Sequence, residues 1–435
     1  MPRPNVLYLH SHDTGRYCQP YGYAIPTPNM QRLAEEGVLF QQAFTAGPTC
    51  SPGRASLLTG QLPHSCGMFG LVGPVFERKG FALKEPKHHI SHVLRDTGYH
   101  TALIGVQHEA RSARDLGYTE MPRPVDVGEE VRKMGGKYIG NTKTALTAEK
   151  WLKNAPKQPF FLSVGFEITH RHFVKPGPDE DPRYCRPPAP IPNTPETRAD
   201  MAGFIACAKY LDKLYGIVLD ALKSTGLEKN TLVICTTEHG IAFPAMKCNL
   251  TDHGIGIALI MRGPAPFSGG KVVDAIISQI DVFPTICELI DMPKPDWLQG
   301  KSFMPVIQGK TDNINDYIIA EVTYHGVYEP KRAIRTKRYK YIKRWPGREK
   351  PVSWNCDPSP SKDLWLNNGW DERFVPDEYL FDLLFDPAES NNLVYSPDPA
   401  AKKALEQMRA MLEKSMKQTN DPLLKGPIPD PPLNT

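Results

Sequence analysis

No stretch of the chain is apolar over the roughly 20 residues that a membrane-crossing helix needs. The N-terminal MPRPNVLYLH enters its apolar run after four residues; that run is too short for the core of a secretion signal, and no cleavage site follows it. Cys-x-x-Cys pairs are missing too. The nine cysteines are an odd, scattered set, which predicts reduced thiols in a cytoplasmic protein rather than a disulfide framework. Long Lys/Arg blocks are absent, and 52 basic residues barely exceed 48 acidic ones, which argues against a dedicated nucleic-acid surface. No segment repeats. These absences leave an ordinary globular composition, 40% hydrophobic and 23% charged over 435 residues, enough for one large core and an appendage. The 34 glycines and 43 prolines predict many turns and irregular loops.

Residues 5–9 (NVLYL), 101–106 (TALIGV), 159–166 (PFFLSVGF) and 231–236 (TLVICT) are continuous apolar runs of strand length, as expected of strands buried on both faces. Helices are predicted at 27–37, 88–97, 144–154, 279–291 and, most clearly, 195–225, which Thr194-Pro195 opens and Gly226 closes. Residues 257–262 read as a further strand, and the Pro-rich loop 174–195 is a candidate substrate-facing loop. After about residue 325 the texture changes to an antiparallel pattern at 332–345, a strand and turn at 378–393 and an amphipathic helix at 399–418. The expected organisation is an α/β layered domain over 1–325 and a smaller α+β subdomain over 326–435. Each of the four apolar strands delivers polar residues just past its carboxyl end: His12 and Asp13, His108, His170, and Glu238 with His239. Ligand sites of open α/β sheets lie outside those ends, so four strands are predicted to converge on one site.

Cys50-Ser51-Pro52-Gly53-Arg54 opens a helix-forming run that continues Ala55-Ser56-Leu57-Leu58. Backbone N–H groups and the helix dipole at such a start favour an anion and lower a thiol's pKa. Arg54 follows four residues on, hence on the same helix face. This combination points to chemistry on a phosphate or sulfate ester. Asp13, Glu238 and His239 are ligand types suited to a divalent metal, and His108, His170 and Lys247 supply hydrogen bonds, positive charge and a proton.

The Cys50 stretch resembles the sulfatase signature Cys-x-Pro-x-Arg, and the likeness spans nearly the whole chain, including Leu58-Thr59-Gly60, NTPETRAD and LFDLLFDPAESNNL. Within the family it looks nearest the sulfamidase (N-sulfoglucosamine sulfohydrolase) branch. The resemblance implies an alkaline-phosphatase-like fold, with a large mixed, mainly parallel central sheet sandwiched by helices. It implies oxidation of Cys50 to formylglycine by a formylglycine-generating enzyme that reads Pro52 and Arg54, and one divalent metal, usually calcium. The family's Asp-Asp pair is here His12-Asp13; its Asp-Asn is Glu238-His239; its Lys-x-His keeps only His108, with Val106 in the Lys position; its later His matches His170 and its following Lys or Arg matches Lys247. The implied metal ligands are therefore Asp13, Glu238, His239, residue 50 and, unless it turns away as a loop residue, His12. Imidazole in that set shifts preference toward manganese or zinc.

The implied reaction is attack on sulfur by a hydroxyl of the formylglycine hydrate, held by the metal and Arg54. Lys247 or His170 protonates the leaving alcohol or amine, and His108 takes the proton that lets sulfate leave. The expected substrate is a small sulfate ester or sulfated saccharide, with neither nucleic acid nor membrane as partner and a homo-oligomer left open. Two other readings stand beside this one: a phosphonate monoester or phosphodiester hydrolase on the same scaffold, suggested by His239 and Val106, and a non-catalytic anion-binding homologue. Elsewhere, His10, His64, Cys18 and Cys66 are read as structural. His88, His89 and His92 are read as a solvated helix face, and the basic run 331–344 as a solvated hairpin face.

Overall fold

The segment NVLYLHS explains the centre of the molecule: each of its seven residues is buried, so both faces of the strand it forms are covered. The computed structural model describes residues 3–73, 80–345 and 347–430. Strands run over Asn5–Ser11 (β1), Val38–Phe40 (β2), Ala43–Phe44 (β3), His100–Gly105 (β4), Phe160–Phe166 (β5), Thr231–Thr237 (β6), Leu259–Arg262 (β7), Lys271–Val273 (β8) and Ile277–Ser278 (β9). Seven of them make one sheet in the order β4-β5-β1-β6-β7-β2-β8, and β3 pairs with β9 apart from it. Strands β4, β5, β1 and β6 are parallel, and β7 runs antiparallel to both its neighbours. The sheet is mixed and mainly parallel, as expected.

Alternation along the strands sorts the core into two layers. Val6 and Tyr8 join Phe161, Leu232 and Ile234 against helices Cys50–Thr59 and Val282–Leu289. Leu7 and Leu9 join Leu162, Val164, Val233 and Cys235 against helices Gly136–Lys153 and Pro195–Ser224. The register then fixes the site: Ser11 stands opposite both Phe166 and Thr237, and Gly105 stands opposite Gly165. Four parallel strands thus stop on one level, and the loops after them open on one side.

An antiparallel sheet of Tyr317–Tyr324 (β10), Tyr328–Thr336 (β11), Tyr339–Arg344 (β12) and Glu378–Asp382 (β13) forms the smaller layer. It begins at Tyr317, ahead of the change of texture seen in the sequence. Helix Pro399–Gln418 covers one face through Leu405, Met408 and Leu412, and the other face meets Phe44, Leu250 and Ile276 of the large layer.

The basic run on β11 and β12 is not a solvated face. Lys331, Arg332, Arg335, Lys340 and Arg344 are all buried. Lys340 lies 2.9 Å from Glu389 and contacts Asp252, whose carboxylate also takes Arg335 at 3.0 Å. Lys331 donates to the Cys248 carbonyl at 2.9 Å. Buried charges need partners, and Asp252 and the Cys248 carbonyl belong to the large domain, so the run docks the small sheet onto the segment that carries Lys247.

On the opposite face, Arg332 Nε lies 2.6 Å from Asp421 and 3.3 Å from Glu321, while His64 Nδ1 lies 2.6 Å from the same Glu321. The guanidinium fills the place that a cation would take, and the role of His64 is structural. The other histidine reading also changes. His89 is fully buried and caps helix Ile90–Asp96, His92 contacts the Asp115 carbonyl at 2.9 Å, and His88 stacks on Trp297 at 3.9 Å.

Candidate active site

Cys50 opens its helix against the end of β6, and a glycine permits the approach. A Cβ on Gly53 would lie 2.8 Å from the Glu238 carbonyl, closer than atoms tolerate. Cys50 Sγ consequently sits 3.5 Å from His239 Nε2. Past β1, Asp13 adopts φ 49, an uncommon left-handed conformation for a residue with a side chain, and its backbone N–H donates to Glu238 Oε1 at 3.2 Å. His239 Nε2 lies 3.3 Å from Asp13 Oδ1 and 3.5 Å from Glu238 Oε1. Lys247 donates to Asp13 Oδ2 at 3.0 Å, and His170 Nε2 stands 3.9 Å from that oxygen at the more open rim. The rings of His108 and His170 lie 5.8 and 5.6 Å from His12, which points into the cluster with its Nδ1 3.1 Å from Glu238.

The structure therefore gathers all nine residues singled out in the sequence, with one change of position. Arg54 lies beneath the pocket, its guanidinium 3.3 Å from Glu238 Oε2 and from the Ser11 carbonyl and in contact with His10. It orients and charges Glu238 from below. The middle of the Pro-rich loop lies elsewhere. Tyr184, Pro188 and Ile191 wall a cleft of about 650 Å³ with Tyr23, Ile25 and His253, and Cys50 does not line that cleft.

The donor set fits a divalent cation. One ligand atom each from His12, Asp13, Cys50 and Glu238 lie within 4.8 Å of one another, as do those of His12, Cys50 and His108. Two of these buried atoms, His12 Nδ1 and Asp13 Oδ1, have no hydrogen-bond partner of their own. His12 Nδ1 faces Glu238 at 3.1 Å and Asp13 Oδ1 faces His239 at 3.3 Å without the alignment of a hydrogen bond, an arrangement of carboxylate and imidazole donors that suits a metal.

The electrostatics separate the roles. Burial would raise the Cys50 thiol, but Lys247 and hydrogen bonds from His108, His12 and His170 hold it well below its ordinary value. Asp13 lifts His170 to about 9 against the effect of burial, and Asp13 and Glu238 together lift the buried His239 to about 9. Burial works against the Lys247 ammonium, yet Asp13, Cys50 and Asp357 outweigh it and raise its pKa well above the usual lysine value.

Four neighbours escaped the sequence reading. Asp357 lies 3.0 Å from Lys247, and His325 stands in the turn between β10 and β11. Glu109 is buried and accepts from the His108 backbone N–H at 3.0 Å. Lys137 donates to the His170 carbonyl, bringing a second ammonium to the rim from a helix rather than from the position of Val106. Asp357 and His325 follow none of the large-sheet strands, and Lys137 sits in a helix turn without apolar periodicity. Only Glu109, next to His108, had a positional signal.

A mixed sheet with a strand-end cluster of acids, imidazoles and a lysine around a cysteine at a helix start suits a hydrolase acting on an oxyanion ester, and the chain's relatives narrow it to sulfate esters or sulfamates. The sulfatase family profile matches residues 4–292, and the chain belongs to that family, in which formylglycine and a divalent metal are general features. Residues 239–364 match the profile described as N-sulphoglucosamine sulphohydrolase, C-terminal. The chain is 29% identical to human N-sulphoglucosamine sulphohydrolase over 97% of its own length and 92% of that protein. It is 25% identical to a Δ4,5-hexuronate-2-O-sulfatase of Bacteroides thetaiotaomicron, over 96% and 90% of the two chains. In fold it is similar to a protein solved with its substrate D-glucosamine-2-N,6-O-disulfate, with a TM-score of 0.70 at 18% identity over 96% and 98% of the chains.

Proposed function

We propose that the protein removes sulfate from a sulfated saccharide, sulfamates included, with residue 50 as formylglycine and with manganese or zinc at the Asp13, Glu238 and His239 cluster. The observation that carries this reading is the convergence of Cys50, Asp13, Glu238, His239, Lys247 and His170 within hydrogen-bonding or ion-pair reach of one another. When bound, the metal would polarise a sulfuryl oxygen, and the formylglycine hydrate would supply the attacking oxygen. The imidazoles of His12 and His239 favour manganese or zinc over calcium.

The chain's own residues do the rest. Lys247, buried and charged, faces negative charge that develops on the sulfuryl group. A strongly raised pKa makes it a poor proton donor, so the donor role falls to His170. Its side chain is 35% exposed at the rim where the leaving group must lie, with Nε2 3.9 Å from Asp13. His108, half-buried beside Cys50, is the acceptor for the proton that frees the product. Cys50, Pro52 and Arg54 are buried, so a formylglycine-generating enzyme must act before this helix packs. Nine unpaired cysteines support a reducing compartment such as the cytoplasm.

A panel of substrates tests the reading. With metal-loaded, formylglycine-containing protein, kcat/KM for glucosamine N-sulfate or an O-sulfated glucosamine is expected to exceed that for bis(4-nitrophenyl) phosphate by about 100-fold or more. The reverse order would move the protein to the phosphodiester reading that the imidazoles also favour.

A further inference from the structure

Asp357 reaches the site from the small C-terminal layer, and it is a carboxylate in a pocket built for an anion. Its loop is held on both sides. Asn355 accepts from Val327 N–H at 2.9 Å and donates to Glu329 at 2.9 Å, while Lys362 donates to the Cys356 carbonyl at 2.8 Å and Ser361 to Asp200 at 2.6 Å. The Asp357 side chain thus stands fixed, 20% exposed, with Oδ2 3.0 Å from Lys247. Burial would raise its pKa, but Lys247 outweighs that and brings it to about 2, so it is ionised at neutral pH. Nearby, burial and Lys247 lower His325 to about 4, leaving a neutral imidazole whose buried Nδ1 has no hydrogen-bond partner.

An ionised carboxylate only accepts hydrogen bonds, and it has about four lone-pair sites. Lys247 forms an ion pair with Oδ2, an atom that accepts no hydrogen bond from the described residues. The sulfuryl group brings no donor and is repelled by a second negative charge beside it. The acceptor capacity that this ion pair leaves can serve a leaving group only when that group carries an O–H or N–H close to the sulfated atom. A polyhydroxylated ring has such hydrogens on the neighbouring carbons; a phenol has none.

We propose that Asp357 is the specificity residue for the leaving group. Its carboxylate accepts a hydrogen bond from a hydroxyl or amine adjacent to the sulfated atom of a saccharide, and it disfavours a ring with a second sulfate at that neighbouring position. This rests on the saccharide reading above and adds to it which side of the pocket reads the sugar. Lys247 also touches Asp357, so a loss of activity alone would not separate recognition from the positioning of Lys247; the selectivity ratio does.

The test measures kcat and KM of the wild type, Asp357→Asn and Asp357→Ala on glucosamine N-sulfate, its 3-O-sulfated derivative and 4-nitrophenyl sulfate. Asp357→Ala is expected to lower the saccharide-to-aryl ratio of kcat/KM by about 100-fold, mainly through KM. It is also expected to narrow the penalty for the 3-O-sulfate by about 10-fold. Asp357→Asn, which has nearly the same shape, is expected to fall in between. If both substrates fall together and the ratio holds in both variants, Asp357 serves only to hold Lys247 and the proposal is overturned. Failure of the underlying reading looks different: the wild type itself would turn over neither sulfate, and this proposal would fall with it.

Discussion

Cys50→Ala is expected to lower kcat on a sulfate ester by about four orders of magnitude or more, in protein that remains folded by circular dichroism. On the proposed function residue 50 is the nucleophile position: it is buried, 3.5 Å from His239, and under the combined pull of Lys247 and three imidazoles. A methyl group offers no attacking atom, and the remaining positive groups can bind sulfate but not transfer it. Cys50→Ser sharpens the point. A serine oxygen can attack once but lacks the second hydroxyl that expels sulfate from the formylglycine hydrate, so the protein should accumulate one covalent sulfuryl group and stop. Intact mass after incubation with substrate reads this directly. An alanine variant that turned over at the wild-type rate would remove residue 50 from the chemistry altogether.

Lys247→Ala is expected to lower kcat/KM by about 10²–10⁴-fold, with most of the loss in kcat. The ammonium bridges Asp13 and Asp357 at 3.0 Å each, and its removal leaves two carboxylates facing the incoming sulfate across a buried space. The same substitution strips Asp13 of its lysine ion pair, so divalent-metal affinity should rise while turnover collapses. Opposite signs in two measurements separate this role from general unfolding, which would lower both. Lys247→Arg keeps the charge and should recover part of kcat; equal loss in Arg and Ala variants would assign Lys247 a role of shape rather than charge.

The part of the architecture that the residues announce in advance is the part whose signals are local. Runs such as NVLYL and FFLSVGF are continuous because the strands are covered on both faces, and polar residues after such runs sit at strand ends by construction. Because β4, β5, β1 and β6 end in register, strand ends far apart in sequence share one level, which is why Asp13, His108, His170 and Glu238 were legible. Helix Gly136–Lys153 begins well before the expected residue 144, since its first turns, GKYIGNTK, lack an apolar stripe. Pro284 fits in helix Val282–Leu289 because it occupies the first turn, where the missing N–H is not needed.

What was misread depends on partners remote in the chain. Residues 331–344 look solvated until Asp252, Glu389 and Asp421 are brought against them, and no window of sequence contains both sides of those pairs. Asp357 was invisible for the same reason. It sits in an irregular loop before Pro358, and only docking of the small sheet carries it to Lys247.

The central claim is that one divalent metal sits among Asp13, Glu238 and His239 next to residue 50. Anomalous diffraction from crystals of the metal-loaded protein, recorded on both sides of the manganese and zinc absorption edges, tests it most directly. The account predicts a single strong peak within coordination distance of those three side chains and of residue 50, appearing at one of the two edges. A peak elsewhere in the molecule, or none at this cluster with metal in excess, would contradict it.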